Sequence, residues 1–278
     1  GINPLLGLAA GSIPLTGGHG TSGAFGPYLE ELGATGATVV AVASATYGLI
    51  AGCLIGGPIA RRLMIKNNLK PTENKAGVDD SILGSATEVT EESLFSAVVY
   101  VGIAMGIGAL INNMLAKAGI KFPVYLMGMV VAAIIRNILD FNQKQLPFTE
   151  IGIVGNISLS LFLSMALMSM KLWQLIDLAV PLIVILLVQT LLMAVFAYFV
   201  TFNIMGRDYD AAVMSTGHCG FGLGATPNAM ANMETFTAAN GASVKAFFII
   251  PIVGSLFIDF INAAVIQGFA TWIVANFR

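Results

Sequence analysis

The chain has 278 residues, of which 56% are hydrophobic and 10% are charged, and its mean hydropathy is +0.85. This composition lies outside the range of soluble domains and predicts a protein embedded in a lipid bilayer. The net charge of -2, without any basic run interleaved with aromatic residues, argues against nucleic-acid binding. Cys53 and Cys219 stand in separate apolar segments, so a disulfide framework or a cysteine metal cage is excluded, and both are expected to be buried.

Six stretches are apolar enough, and at about 20 residues long enough, to cross ~30 Å of hydrocarbon as helices. They are residues 37–60, 94–116, 122–139, 151–170, 178–202 and 246–274. Between the first and second stretches, a hydrophilic loop concentrates 11 of the 28 charged side chains within residues 61–92. The chain begins at Gly1 with neither an initiator methionine nor a charged leader. We therefore expect no signal peptide, and we expect that the sequence is truncated at its N-terminus.

Two further apolar segments, residues 1–33 and 208–240, are interrupted near their middles by glycine-rich polar sequence. Each half has roughly 12 residues, which at 1.5 Å per residue reaches about halfway through the bilayer. We therefore predict two re-entrant hairpins with tips at residues 16–21 and 217–224. Non-helical backbone at membrane depth is tolerated only inside protein or beside an aqueous cavity, so both tips are predicted to lie at a site.

The order of hairpins and spans suggests two copies of one unit, the first lacking its early spans. The excess of Lys and Arg in the charged loop predicts that this loop is cytoplasmic. The two copies then have opposite orientations, as in alternating-access carriers. The predicted divisions are residues 1–62 for the end of repeat 1, 63–92 for the cytoplasmic loop and 93–278 for repeat 2.

The glycine tips are the predicted substrate site, because glycine lets a ligand approach the main chain closely. Thr226 and Pro227 predict an N-cap and first turn whose free amides and helix dipole favour a carboxylate. Thr21 or Ser22 is expected to begin the second arm of the first hairpin similarly. The alternative is a pair of ordinary glycine-rich turns between close-packed helices. The substrate-binding candidates are Thr16, Gly17, Gly18, His19, Gly20, Thr21, Gly217, His218, Cys219, Gly220, Gly222, Gly224, Thr226 and Asn228.

Asp259 is the ionisable residue deep inside the last predicted span. An unpaired carboxylate at the bilayer centre costs about 2.5–3.5 kcal/mol, so a partner is needed and a sodium ion is the natural one. Asn262 lies three residues on, on the same helix face, and offers an oxygen of the type that hard cations take. The alternative for this pair is a hydrogen-bonded helix contact. Asn137, Asn156 and Ser158 are further candidates, either as sodium ligands or as interhelical hydrogen-bonding groups.

The sequence offers no catalytic group and no cofactor site. His19 and His218 have neither a carboxylate nor a second histidine at ligand spacing, so we expect them to make hydrogen bonds that hold the tips in shape. Arg136 and Asp140 stand four residues apart and predict a structural ion pair on one helix.

Three motifs give the chain a family resemblance. They are Gly17-Gly18-His19-Gly20-Thr21, the long run Gly217-His218-Cys219-Gly220-Phe221-Gly222-Leu223-Gly224-Ala225-Thr226-Pro227, and Phe257-Ile258-Asp259 with Asn262. Together they closely resemble the bacterial sodium/glutamate symporters, and the likeness extends over nearly the whole chain.

This resemblance implies an all-α membrane protein with two inverted five-span repeats, each carrying one re-entrant hairpin, and with the first four spans lacking in this chain. It also implies a homodimer in the cell inner membrane that carries L-glutamate inward with sodium by an elevator-like cycle. Alternatives are a sodium symporter for citrate or malate, a channel, or a membrane-embedded hydrolase or transferase using His218 and Cys219. Neither tip carries the fixed positive charge that a di- or tricarboxylate would want, which favours glutamate.

Overall fold

A computed structural model of the chain describes residues 3–71, 89–117, 124–169 and 178–277. These ranges are helical and contain no strand. The chain divides into two compact units, one formed by Gly1–Val78 with Met170–Arg278 and the other by Asp79–Ser169. In chain order the α-helices are α1 Leu5–Ala9, α2 Ser12–Glu31, α3 Ala37–Lys66, α4 Glu91–Lys117, α5 Val124–Phe141, α6 Phe148–Ser169, α7 Ala179–Phe196, α8 Phe202–Ile204, α9 Tyr209–Gly222, α10 Thr226–Asn240, α11 Val244–Ile252 and α12 Ile258–Phe277.

Each of the six predicted spans falls on helical structure where it is described. Short π-helical segments, Ala197–Thr201 and Val253–Phe257, join α7 to α8 and α11 to α12 into longer helical runs. Within the described ranges, four helices are both long and apolar enough to cross a membrane: Ala37–Lys66, Glu91–Lys117, Ala179–Ile204 and Ile258–Phe277. The chain is therefore an all-α membrane protein, as the composition predicts.

The first predicted hairpin reverses the chain at Gly18, whose φ of 61° and ψ of −151° interrupt α2. The Asn3 side-chain amide donates to the Gly33 carbonyl over 3.0 Å, so the two ends of the segment lie together. We had expected the second arm to begin at Thr21 or Ser22, but helical backbone resumes at His19. The difference arises because a single glycine with positive φ makes the whole turn.

The second predicted hairpin is formed by α9 and α10, which run antiparallel. A Cβ atom at Gly220 would lie 2.5 Å from the Ala229 backbone, and one at Gly217 would lie 2.9 Å from the Met233 sulfur. The sequence-based tip was too long, because the glycines of residues 217–222 belong to α9 and only Leu223, Gly224 and Ala225 form the turn. Because Gly217 and Gly220 have no side chains, α9 and α10 approach each other closely.

The start of α10 is also one residue earlier than predicted. Ala225 is the N-cap residue, in extended conformation with φ −158° and ψ 168°, and Thr226 is already helical. At its base the hairpin is held by the Tyr209 hydroxyl, which donates to the Gly241 carbonyl over 2.6 Å, and by Asp208, which caps the Ala211 amide over 2.7 Å.

A row of glycines on α3 sets how closely that helix approaches α9. A Cβ atom at Gly48 would overlap the Leu223 oxygen. Cβ atoms at Gly52 and Gly56 would lie 2.7 Å from the Cys219 oxygen and from the Thr216 hydroxyl, respectively. Small residues at a spacing of four let membrane helices bring their backbones together. Cys219 is buried in this contact as expected, but Cys53 is exposed, because its position on α3 follows Gly52 and points away from α9.

In the second unit, α4 packs against α5 where Gly108 meets Gly128, since a Cβ atom at Gly108 would overlap the Gly128 backbone. The predicted ion pair of Arg136 and Asp140 is confirmed, with 3.0 Å between Nε and Oδ2. The Arg136 guanidinium also lies 4.4 Å from the centre of the Phe148 ring. Both charges are half-exposed, so the pair contributes little to stability.

Gly48→Ala should destabilise the protein, because the new methyl group meets the Leu223 carbonyl, which belongs to the backbone and cannot rotate away. We expect a loss of about 1–3 kcal/mol, typical of overpacking. Thermal unfolding in detergent measures it. The matched control is Gly57→Ala, on the same helix with no atom within 4 Å of the added Cβ. Equal melting temperatures for the two variants would contradict the close packing of α3 on α9.

Candidate functional site

The two glycine tips lie against each other within the first unit. A Cβ atom at Gly18 would lie 3.4 Å from both the Ala225 Cβ and the Gly224 carbonyl oxygen. Gly18 is buried, whereas its neighbour Gly20 is exposed. The chain reversals of both hairpins therefore meet at one place, and two stretches of non-helical backbone face each other there.

Each hairpin histidine bonds a threonine of a neighbouring helical run. His19 Nε2 lies 3.0 Å from the Thr46 hydroxyl oxygen of α3, and His218 Nδ1 lies 2.7 Å from the Thr201 hydroxyl oxygen in the π-helical segment after α7. His218 also stacks on Phe221, with 4.8 Å between ring centres. The expectation that both histidines make hydrogen bonds holding the hairpins is confirmed. Among the described residues, no group of three His, Cys, Asp or Glu side chains could hold a metal ion.

Two asparagines of α10 tie the second hairpin to the α3 backbone. The Asn228 amide donates to the Leu49 carbonyl over 2.8 Å. The Asn232 amide donates to the Gly52 carbonyl over 3.0 Å and to the Thr216 carbonyl over 3.2 Å. Since residues four apart share a helix face, α10 reaches α3 through one polar row. These bonds hold the start of α10 beside the tips.

An open cleft of about 290 Å³ lies beside the tips, with walls from α2, α7 and the end of α9. Its volume equals that of roughly ten liquid waters at ~30 Å³ each, which is room for a small organic ion. Its lining carries no charge, but Ser12, Thr16 and Gln189 give it polar groups. The lining residues are Gly11, Ser12, Leu15, Thr16, Gln189, Leu192, Met193, Phe196, Gly222 and Leu223.

The first arm of hairpin 1 contains a break that the sequence did not predict. Helix α1 ends at Ala9, α2 begins at Ser12, and Gly11 between them has φ −104° and ψ −126°. Two side-chain amides donate to carbonyls at this break: Gln189 to that of Ala10 and Asn262 to that of Ser12, each over 3.1 Å.

Gln189 is the residue that the sequence analysis missed. Its signal was a lone carboxamide in the middle of an otherwise apolar span, next to Thr190, which bonds Tyr47 of α3 over 3.1 Å. A polar side chain in lipid needs a partner, and the helix break supplies one. Gln189 therefore joins α7 to the helix break by a hydrogen bond and also lines the cleft.

The substrate candidates fall into two groups. Around the tips and the cleft lie Thr16, Gly18, Gly222, Gly224, Thr226 and Asn228. The others are engaged in packing or in hydrogen bonds: Gly17 against Thr21, Gly217 against Met233, Gly220 against Ala229, the two histidines against their threonines, and Cys219 in the contact with α3, while Gly20 faces outward. Their role in binding stays a prediction.

The sodium candidates are distributed over both units. Asp259 is half-buried at the start of α12, one helical turn from Asn262. Asn137, Asn156 and Ser158 belong to the other unit and are exposed within it. Asn137 donates to the Ala133 carbonyl of its own helix over 2.7 Å. Ion binding by each of these residues stays a prediction.

Membrane-length helices, two meeting hairpin tips and an uncharged polar cleft are features of a helical membrane transporter. The sequence profile of the sodium/glutamate symporter family matches residues 1–242, and the chain belongs to that family. Its members are transporters, so the alternative of a hydrolase or transferase is set aside.

Curated relatives match over almost the whole chain. The sodium/glutamate symporter of Escherichia coli strain K12 is 44% identical over 277 residues, and that of Haemophilus influenzae is 41% identical over 276 residues. Each match covers 96% of this chain and 68% of the relative. No solved structure matches the chain significantly.

The meeting of the tips predicts that cysteines at positions 18 and 225 will cross-link. The Cβ separation of 3.4 Å lies near the 3.5–4.5 Å of disulfides, but the φ of +61° at Gly18 strains any side chain placed there, so the melting temperature of the reduced variant is measured alongside. In a background with Cys53 and Cys219 replaced by serine, Gly18→Cys with Ala225→Cys should form a disulfide under mild oxidation. Peptide mass spectrometry detects it. Gly20→Cys with Ala225→Cys is the control, because Gly20 has no atom within 4 Å of an added Cβ. Cross-linking of the control alone would show that the tips are apart.

Proposed function

We propose that this protein takes L-glutamate into the cell together with sodium ions, with no other cofactor. Membership of the sodium/glutamate symporter family supports the proposal, and the contact of the two tips beside the uncharged cleft is the structural observation that carries it. A carrier needs a site that can be reached from either side of the membrane in turn, and backbone at hairpin tips can bind a ligand and release it as the tips separate.

We propose that the cleft and the adjacent start of α10 bind glutamate. The start of α10 lies at the positive end of the dipole of a 15-residue helix, which attracts a carboxylate. Ser12, Thr16 and Gln189 offer neutral polar groups along the cleft. No cation lines it, which suits glutamate better than citrate or malate, whose additional charge would want a fixed cation.

Sodium is proposed to bind at Asp259 and Asn262. The amide nitrogen of Asn262 is engaged with Ser12, which leaves its side-chain oxygen, one turn from the Asp259 carboxylate, as a ligand of the kind that hard cations take. Because Ser12 also lines the cleft, an ion held here would sit close to the substrate and could couple the two binding events. Asn137, Asn156 and Ser158 are proposed as further ion ligands.

The finer architecture is part of the same proposal. Two inverted repeats would each place a re-entrant hairpin at the midplane, and the paired bonds of His19 and His218 to threonines support that internal likeness. The divisions at residues 1–62, 63–92 and 93–278 would then be the end of repeat 1, a cytoplasmic loop and repeat 2. We further propose a homodimer in the inner membrane and an elevator-like cycle.

The proposal is tested by uptake of labelled glutamate into proteoliposomes that contain the full-length protein. An inward sodium gradient should drive accumulation, and collapsing the gradient should abolish it. If the sodium ions carry in more positive charge than the substrate carries negative charge, an inside-negative membrane potential also drives uptake. It contributes about 2.3 kcal/mol per net charge for each 100 mV. Uptake that persists without sodium would refute symport, and sodium-driven uptake of labelled citrate or malate without uptake of labelled glutamate would identify the alternative substrates.

Asp259→Asn should raise the sodium concentration for half-maximal uptake by roughly 10-fold, because the ion loses its charged ligand while the side chain keeps its size. Sodium titrations of initial uptake rates measure the change. Glu234→Gln is the control, since it removes an exposed carboxylate from α10. An Asp259→Asn protein with wild-type sodium dependence would assign this carboxylate a structural role.

A further inference from the structure

The hydroxyl of Ser44 is buried without a hydrogen-bond partner. Ser44 lies on α3 with 0% of its surface exposed, and its Oγ has no hydrogen-bond partner among the residues that the structure describes. The buried serine hydroxyls of Ser22 and Ser215 in this unit donate to the carbonyls of Gly18 and Ala211, four residues earlier, whereas those of Thr38 and Thr216, like that of Ser44, have no such bond. Ser44 could make the same local bond in a helix but does not, so its hydroxyl is directed elsewhere.

The neighbours of Ser44 on its own helix face locate it between the hairpins. Three residues before it, the Ala41 carbonyl accepts a bond from Ser22 in the second arm of hairpin 1. Four residues after it, Gly48 touches Leu15 of the first arm and the Leu223 carbonyl of the other hairpin. Residues at these spacings share a helix face, so Ser44 lies between the contact with hairpin 1 and the contact with the end of α9.

The carbonyl end of α9 points toward Ser44. Gly56, Gly52 and Gly48 of α3 meet Thr216, Cys219 and Leu223 of the second hairpin in turn, so α3 and α9 run antiparallel. The last carbonyls of a helix have no intrahelical donor, and they point along the axis at its negative end. Those of α9 are therefore directed past Gly48 to the next turn of α3, where Ser44 stands. The Gly224 carbonyl adds another oxygen, facing Gly18.

We propose that Ser44 Oγ, with the Leu223 and Gly224 carbonyls, forms a second sodium site between the hairpin tips. The inference rests on the proposed function and adds a site to it. Hydroxyl and carbonyl oxygens are ligands that hard cations take, and the negative end of α9 attracts a cation. Because both tips touch this place, an ion here holds them together.

The site has a consequence for coupling. Over a complete transport cycle the protein returns to its starting state, so an additional sodium ion adds one full positive charge to the charge moved inward. Together with an ion at Asp259, two sodium ions would accompany one glutamate of net charge minus one. Uptake should then be electrogenic and should depend on sodium with a Hill coefficient above one.

The test compares Ser44→Ala with the wild type in the full-length protein in proteoliposomes. Losing one ligand should raise the half-saturating sodium concentration roughly 10-fold and lower the Hill coefficient toward one. The glutamate concentration for half-maximal uptake at saturating sodium should stay unchanged. Ser44→Thr, which keeps the hydroxyl, should retain most of the sodium affinity.

Thr216→Val is the matched control. Thr216 is also fully buried with an unpartnered hydroxyl, but it lies on α9 two turns from the tip, so its removal should leave the sodium titration unchanged. Melting temperatures in detergent provide a readout without transport: sodium should stabilise the wild type more than Ser44→Ala, because a bound ion favours the folded state.

The outcomes separate this inference from the proposed function. A wild-type protein without sodium-driven uptake would refute the function itself. Sodium-driven uptake with the same titration and the same sodium-dependent melting shift in Ser44→Ala would refute only the second site. A change in Thr216→Val equal to that in Ser44→Ala would also refute it, because the effect would then follow from loss of any buried hydroxyl.

Discussion

Hydrocarbon offers no water to backbone amides and carbonyls, and this constraint governs where the helices of this protein can stop. A helix end within the bilayer must be covered by protein or face a cavity, since each unpaired group costs several kcal/mol. In the proposed re-entrant architecture, three such ends lie together: the reversal at Gly18, the turn of Leu223 to Ala225, and the break after Ala10. Uncharged protein groups next to the tips cover these three helix ends, and the polar groups that are left uncovered line the cleft.

Close backbone approach makes that arrangement possible. The α3 glycines let α9 lie against α3, and this contact brings the Leu223 turn to the level of hairpin 1. Asn228 and Asn232 then reach α3 carbonyls that larger side chains at Gly48 or Gly52 would separate from them. The same absence of side chains that weakens a helix in water strengthens a contact between helices in lipid, where packing rather than hydrophobicity drives association.

The six helical stretches and the two chain reversals could be predicted from sequence, because hydropathy and glycine content report them directly. The position of each turn could not. Gly217 to Gly222 read as a loop because glycine disfavours helix in isolation, yet packing against Ala229 and Met233 keeps them helical. Gln189 and Ser44 were missed for a related reason: a single polar residue in an apolar span carries no spacing signal, and its importance depends on which distant backbone group it meets.

In the proposed site, the substrate anion and the sodium cations are bound by groups of different charge. Glutamate would meet only neutral groups and the positive start of α10, so its binding could be reversed without breaking a buried ion pair, a step that is costly in low dielectric. Cations would meet the negative end of α9 and the Asp259 carboxylate. Because α9 and α10 join at one turn, the start of one helix and the end of the other present opposite ends of their dipoles at the same place. A single hairpin tip can therefore favour the substrate anion on one side and the driving cation on the other, and each ligand lowers the electrostatic cost of binding the other.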